Sequence, residues 1–165
     1  NLWNAHGVAK TYINCWGESK KLSGFQWFMS VNTNRTQCYR ATLTQPAAYA
    51  APAAFPVYSL SFTAGDLVAN FGGVEDMRLY DIIWYATPLI KTSSIKDRSK
   101  YIRLITVGNF NANHQHLNQY YQNTFGINLA NLVGVANCNV TVFARRILIS
   151  TGYSSPMRVV SRKII

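Results

Sequence analysis

A chain of 165 residues with a formal net charge of +10 and only 13% charged residues is one domain's worth of protein, long enough to bury a core without metal or disulfide staples. Its 10 Tyr, 8 Phe and 4 Trp exclude a disordered chain, which is poor in aromatics and rich in charge. No run approaches the roughly 18 apolar residues of a membrane-spanning helix, and NLWNAHGVAK at the start lacks the apolar core of a leader.

Strand signals dominate along the chain. TYINCW at 11–16 alternates loosely. GFQWFMSVNT at 24–33 alternates most clearly: Phe25, Trp27, Met29 and Val31 predict a strand with one buried face. QCYRATLT at 37–44 sets Tyr39, Ala41 and Leu43 against Arg40, Thr42 and Thr44. QPAAYAAPAAFP at 45–56 reads as an extended neutral loop inside one domain. VYSLSF at 57–62 sets Tyr58, Leu60 and Phe62 on one side. Thr63-Ala64-Gly65-Asp66 is expected to start a short helical turn through Asn70, ended by Gly72-Gly73.

RLYDIIWYA at 78–86 is apolar on both faces apart from Asp81, as in a central strand or one with an interface on its outer side. The expected partner of Asp81 is Arg78 or Arg103, in a structural ion pair. TSSIKDRSK at 92–100 is a basic loop, followed by a strand at 101–107. HQHLNQYYQNTFG at 114–126 predicts a second short helix. NCNVTVFARRILIS at 137–150 alternates until Arg145-Arg146, where a bulge is expected. MRVVSRKII at 157–165 reads as a terminal strand or tail. About eight strands with one or two short helices make an all-β, antiparallel sandwich or barrel over 1–165, with 1–10 and 157–165 as extended arms or edge segments.

Catalytic chemistry finds little footing. Glu75 and Asp76 are adjacent and read as a solvated turn rather than a glycosidase pair. His114 and His116 would share one strand face, yet no carboxylate or third histidine is near in sequence, so an exposed loop without metal is expected. The motifs of serine hydrolases, zinc proteases and phosphate loops do not occur. Cys15, Cys38 and Cys138 are odd in number and lack C-x-x-C spacing, which predicts free, mostly buried thiols in a reducing compartment, with one disulfide plus one free thiol as the alternative. No enzyme activity, cofactor or small-molecule substrate is expected.

Charge points elsewhere. Sixteen Lys and Arg stand against six Asp and Glu, which suits an anionic partner. Fifteen asparagines and many aromatics on a weakly charged surface suit protein–protein contact. The expected phosphate contacts are Lys20, Lys21, Arg145, Arg146, Arg162 and Lys163. The Lys91–Arg103 cluster could instead face outward.

The segment SFTAGDLVANFGGVEDMRLYDIIWYATPL at 61–89, through Phe62, Asp66, Leu67, Phe71, Arg78, Tyr80, Ile82, Trp84 and Pro88, resembles the strand–turn–strand region of jelly-roll capsid proteins. These belong to very small icosahedral viruses, either satellite viruses or circular single-stranded DNA viruses. The resemblance implies an eight-stranded antiparallel jelly-roll sandwich and a coat protein. Its copies would assemble into an icosahedral homo-oligomeric shell around viral RNA or single-stranded DNA. It implies residence in the virion after assembly in the host cell. Members of that family usually carry an Arg-rich N-terminal arm, whereas residues 1–20 here hold only Lys10 and Lys20. The competing expectation from composition is a secreted basic β-sandwich, toxin or lectin-like, that binds membranes or glycans. A third is a hydrolase whose site leaves no motif.

Overall fold

The computed structural model describes residues 23–44, 52, 55, 58–71, 77–91, 101–108, 113–132 and 138–164. In chain order these form α1 (Gly24–Gln37), β1 (Tyr58–Thr63), β2 (Asp66–Phe71), β3 (Tyr80–Ala86), β4 (Ile90–Lys91), β5 (Arg103–Gly108), β6 (His114–His116), α2 (Asn118–Phe125), β7 (Cys138–Leu148) and β8 (Arg158–Ile164). Short 3-10 turns at Met77–Leu79 and Leu129–Leu132 complete them.

The strands make two antiparallel sheets. The smaller runs β1-β2-β6. In the larger, β3 lies between β5 and β7, β8 lines the other edge of β7, and β4 continues the β3 side. Alternate side chains of both sheets face one core. Tyr58, Leu60, Leu67, Ala69 and Phe71 come from the small sheet. Ile82, Trp84, Ala86, Val140, Val142 and Ala144 come from the large one. Trp84 is fully buried at the centre, edge-on to Tyr58 at 5.6 Å and tilted against Phe71 at 6.0 Å. This is packing of the β-sandwich kind, closed at one end by Leu117, Tyr121 and Leu129. The Tyr121 hydroxyl donates to the Thr87 carbonyl at 3.1 Å, so the buried ring keeps its polar tip satisfied.

The outer face of the large sheet carries a second cluster of Cys38, Ile83 and Ile147. The turn from α1 into 38–44 lies over it. Here the strand expected at 24–33 is overturned: Gly24–Gln37 is helical. Ser23 caps it by accepting from the Gln26 N–H at 3.2 Å, while Gln26 Oε1 accepts from the Ser23 N–H at 2.9 Å. Burial follows a helical period through Gly24, Phe28 and Val31, leaving Phe25 and Met29 exposed. The alternation of Phe25, Trp27, Met29 and Val31 was therefore not a sheet face. Polar side chains dock the helix: Asn34 donates to the Gly152 carbonyl at 3.0 Å, Asn32 accepts from the Leu43 N–H at 2.7 Å, and Arg35 donates to the carbonyls of Ala41 and Ile149.

Four further expectations change. Residues 37–44 form no strand, because a helix cap occupies their start. The helical turn expected at 63–70 is a hairpin: Ala64 at φ 51° and Gly65 at φ 83° match the twist of β1 and β2. A Cβ on Gly65 would meet the Ala130 Cα at 2.5 Å, so glycine is required there for space as well as angle. The segment 114–126 splits into β6 and α2. The bulge expected at Arg145-Arg146 is not there. The two residues pair in continuous register with Ile83 and Ile82, and the register shift lies between β3 and β5 at Trp84/Tyr85. The strand at 11–16 lies outside the described residues.

Candidate functional site

Eight of the nine arginines lie among the described residues, with two of the six acids. Both acids are engaged. Asp81 is 2% exposed and takes a fork from Arg40, Nε to Oδ2 and Nη2 to Oδ1, each at 2.9 Å. This hydrogen bond and the carboxylate's charge raise the Arg40 pKa. The partner is thus Arg40, not Arg78 or Arg103, because Asp81 points to the outer face, where the chain returns from α1. Asp66 Oδ2 accepts from His116 Nδ1 at 2.7 Å.

Continuous β7 pairing sends Arg145 and Arg146 to opposite faces. Arg146 turns toward the core and is 4% exposed. Its guanidinium lies 4.9 Å from the Tyr80 ring centre and 5.7 Å from that of Phe55. Its backbone is clasped by Ser155, which gives an N–H to the Arg146 carbonyl and takes the Arg146 N–H on Oγ. The expectation that both side chains leave the sheet on one side is corrected: Arg146 is a buried cation–π residue, not a surface cation in this chain.

Arg145 faces outward. Its guanidinium donates to Tyr85 Oη at 3.0 Å, to Gln37 Oε1 at 3.2 Å and to Ser154 Oγ at 3.4 Å. These acceptors are all neutral, so they aim the guanidinium and leave its charge in place. Arg145 lines a cleft of about 450 Å³ with Trp27, Asn34, Pro52, Tyr153 and Ser154. Trp27 and Tyr153 stack at 5.5 Å on its wall. A directed cation beside stacked aromatics can hold a phosphate and offer a flat face to a base. The cleft joins helix, β7 and the 153–156 segment, so no local spacing in the sequence could announce it. The one available signal was the Ser23-Gln26 capping box, which puts Trp27 on a helix.

Arg162 does not line that cleft. Arg162 is exposed and pairs with Val140 in the β7–β8 ladder, next to Lys163, which pairs with Asn139. Lys20 and Lys21 lie outside the described residues, as do Glu75, Asp76 and most of Lys91–Arg103. Cys38 and Cys138 are free thiols, Cys38 buried and Cys138 half-buried. His114 and His116 stand on β6 rather than in a loop.

The surface also exposes large apolar side chains: Tyr39 at 89%, Leu79 at 56%, Tyr101 at 55% and Val159 at 53%. Among the described residues no helix is long and apolar enough to cross a membrane. No family model, curated protein or solved structure matches the chain.

Proposed function

We propose that the chain is a coat subunit that assembles with many copies of itself into an icosahedral shell, and that it packages nucleic acid through backbone phosphates. The observation that carries this reading is a surface exposing Tyr39, Leu79, Tyr101 and Val159 together with many arginines and few acids. Exposed apolar groups are covered by self-association. The repulsion among many copies at +10 each is relieved by an anionic polymer.

The jelly roll is part of this proposal. It is supported by two facing antiparallel sheets and by pairings between strands far apart in sequence, β2 with β6 and β3 with β7. It has to accommodate β1 and β2 as a hairpin within one sheet. The phosphate contacts we assign are Arg145 in its cleft and Arg162 with Lys163 on β8, with Lys20 and Lys21 as further candidates. Contact to backbone rather than to base edges makes packaging tolerant of sequence and sensitive to salt.

The test is particle size. The purified full chain is examined by light scattering and electron microscopy at low salt and near-neutral pH, with and without single-stranded nucleic acid. Closed particles with protected nucleic acid are expected. A monomer under both conditions overturns the proposal.

A further inference from the structure

The solvent face of the small sheet carries a feature that the coat-protein reading neither uses nor requires. His114 and His116 both project from β6 on the side opposite the core, level with Asn70 and Val68 of β2. Their rings lie edge to face with centres 5.2 Å apart. Each ring has its Nδ1 occupied by a side-chain oxygen: Asn113 Oδ1 at 2.8 Å for His114, and Asp66 Oδ2 at 2.7 Å for His116.

An amide oxygen and a carboxylate oxygen accept hydrogen bonds and cannot donate them. Each Nδ1 therefore carries the proton, and in each neutral ring the lone pair is left on Nε2. Ligating histidines in metalloproteins are held this way, with the outer N–H given to a carboxylate or carbonyl so that tautomer and ring angle are fixed before the metal arrives. Spacing fits as well. Side chains at i and i+2 of one strand stand on the same face, and the two ring centres are 5.2 Å apart.

We propose that His114 and His116 form a two-imidazole chelate for one divalent transition ion of the Zn²⁺ class, bound through both Nε2 atoms, with Asp66 and Asn113 as the positioning groups. Among the described residues no set of three His, Cys, Asp or Glu side chains forms a metal cluster. The chelate accordingly supplies two ligands, and water takes the open positions. Asp66 does not ligate; it acts through His116. Sequence spacing alone cannot show this arrangement, because Asp66 reaches His116 only through the β2–β6 pairing.

The full chain, freed of metal and kept reduced, is titrated with Zn²⁺ by calorimetry, and the imidazole nitrogens are followed by two-bond ¹H–¹⁵N NMR. One ion per chain is expected, with both Nε2 resonances shifted and both Nδ1 still protonated. His114→Gln and His116→Gln should each weaken binding at least about tenfold. Asp66→Ala should weaken it about 10–100-fold, with the Nδ1–H signal of His116 lost before metal is added. Both histidines are exposed, so unchanged thermal unfolding of the metal-free variants verifies that the fold is kept. Zn²⁺ affinity unchanged in the two histidine variants, metallation at Nδ1, or binding that disappears only when thiols are blocked overturns the proposal. Because the readout is metal binding to the chain, its failure is independent of whether the chain assembles.

Discussion

Tyr39 is 89% exposed and yet holds φ 56°, a left-handed backbone that non-glycine side chains rarely adopt. It closes α1: the Arg40 N–H reaches back to the Arg35 carbonyl at 2.9 Å and the Tyr39 N–H to that of Thr36 at 3.0 Å, the usual setting for glycine. A bulky residue in that place, without cover, points to a use for the ring outside the chain. Tyr39→Gly should raise stability by about 0.5–1 kcal/mol, read by denaturant unfolding, and should reduce assembly. A variant that assembles as well as the parent removes Tyr39 from the contact. Next to it, Arg40→Ala leaves the Asp81 carboxylate buried without its fork. The expected loss is about 1–3 kcal/mol, between the values of exposed and buried pairs because Arg40 is itself partly in water. Burial, reinforced by the Asp81 charge, pushes the Cys38 thiol up to about 11 from its ordinary 9.0. A folded pKa raised in this way gives stability that is full below the unfolded value and is lost as pH rises through the folded one. Unfolding midpoints should therefore fall from about pH 9 to 11, and Cys38→Ala should flatten that fall. Equal slopes for parent and variant would show that Cys38 does not titrate with unfolding.

At the scale of elements, strands β1, β3, β5, β7 and β8 stand close to where the sequence places strands, β1 and β7 from alternation and β3 and β5 from apolar runs. In β1 the alternation of Tyr58 and Leu60 marks the buried face, whereas β3 and β7 are buried on both faces, as the continuous apolar run of β3 reports. The failures share a different cause. In α1 the apolar residues fit a period of two and of 3.6 at once. What separates the readings is the local cap at Ser23 and the tertiary fit of Asn34 and Arg35 against Gly152 and Ile149. In 63–66 the same Gly and Asp that can start a helix also serve a hairpin, and the space left by Ala130 for Gly65 decides. At Arg145-Arg146 charge in a strand looked like a break, whereas one side chain is housed between Tyr80 and Phe55 and the other under α1. Ser23→Ala tests the helix directly. Losing the Ser23 Oγ arm, while Gln26 Oε1 still accepts from the N–H of residue 23, should cost about 0.5–2 kcal/mol. Hydrogen exchange should quicken first in the opening turn, around Phe25–Phe28, and much less in β7. Uniform quickening across both elements would mean that α1 does not open separately from the sheet.

For the whole molecule, composition made a β-rich, basic, weakly charged domain legible, but not the site, since the cleft around Arg145 is assembled from segments distant in sequence. That difference separates the two neighbouring arginines and gives the last prediction. Arg146 has a guanidinium packed on aromatic rings inside the fold, so Arg146→Ala removes cation–π contact and leaves a cavity. Its first effect should be a loss of stability of roughly 2–4 kcal/mol, with any loss of nucleic acid following from poorer folding. Arg145 holds its charge at the rim of a cleft with neutral partners, so Arg145→Ala should cost less stability and act on binding. Removing one phosphate contact lowers affinity across all sequences and reduces the slope of log affinity against log salt by about 1. Arg145→Lys keeps the charge but loses the fork that Tyr85, Gln37 and Ser154 aim, so it should restore the salt slope more fully than the affinity. The comparison is made on the purified chain with single-stranded DNA or RNA of mixed sequence over a range of salt. If Arg145→Ala leaves both slope and affinity unchanged while Arg162→Ala lowers them, the phosphates run along β8 and the cleft under α1 is not their path.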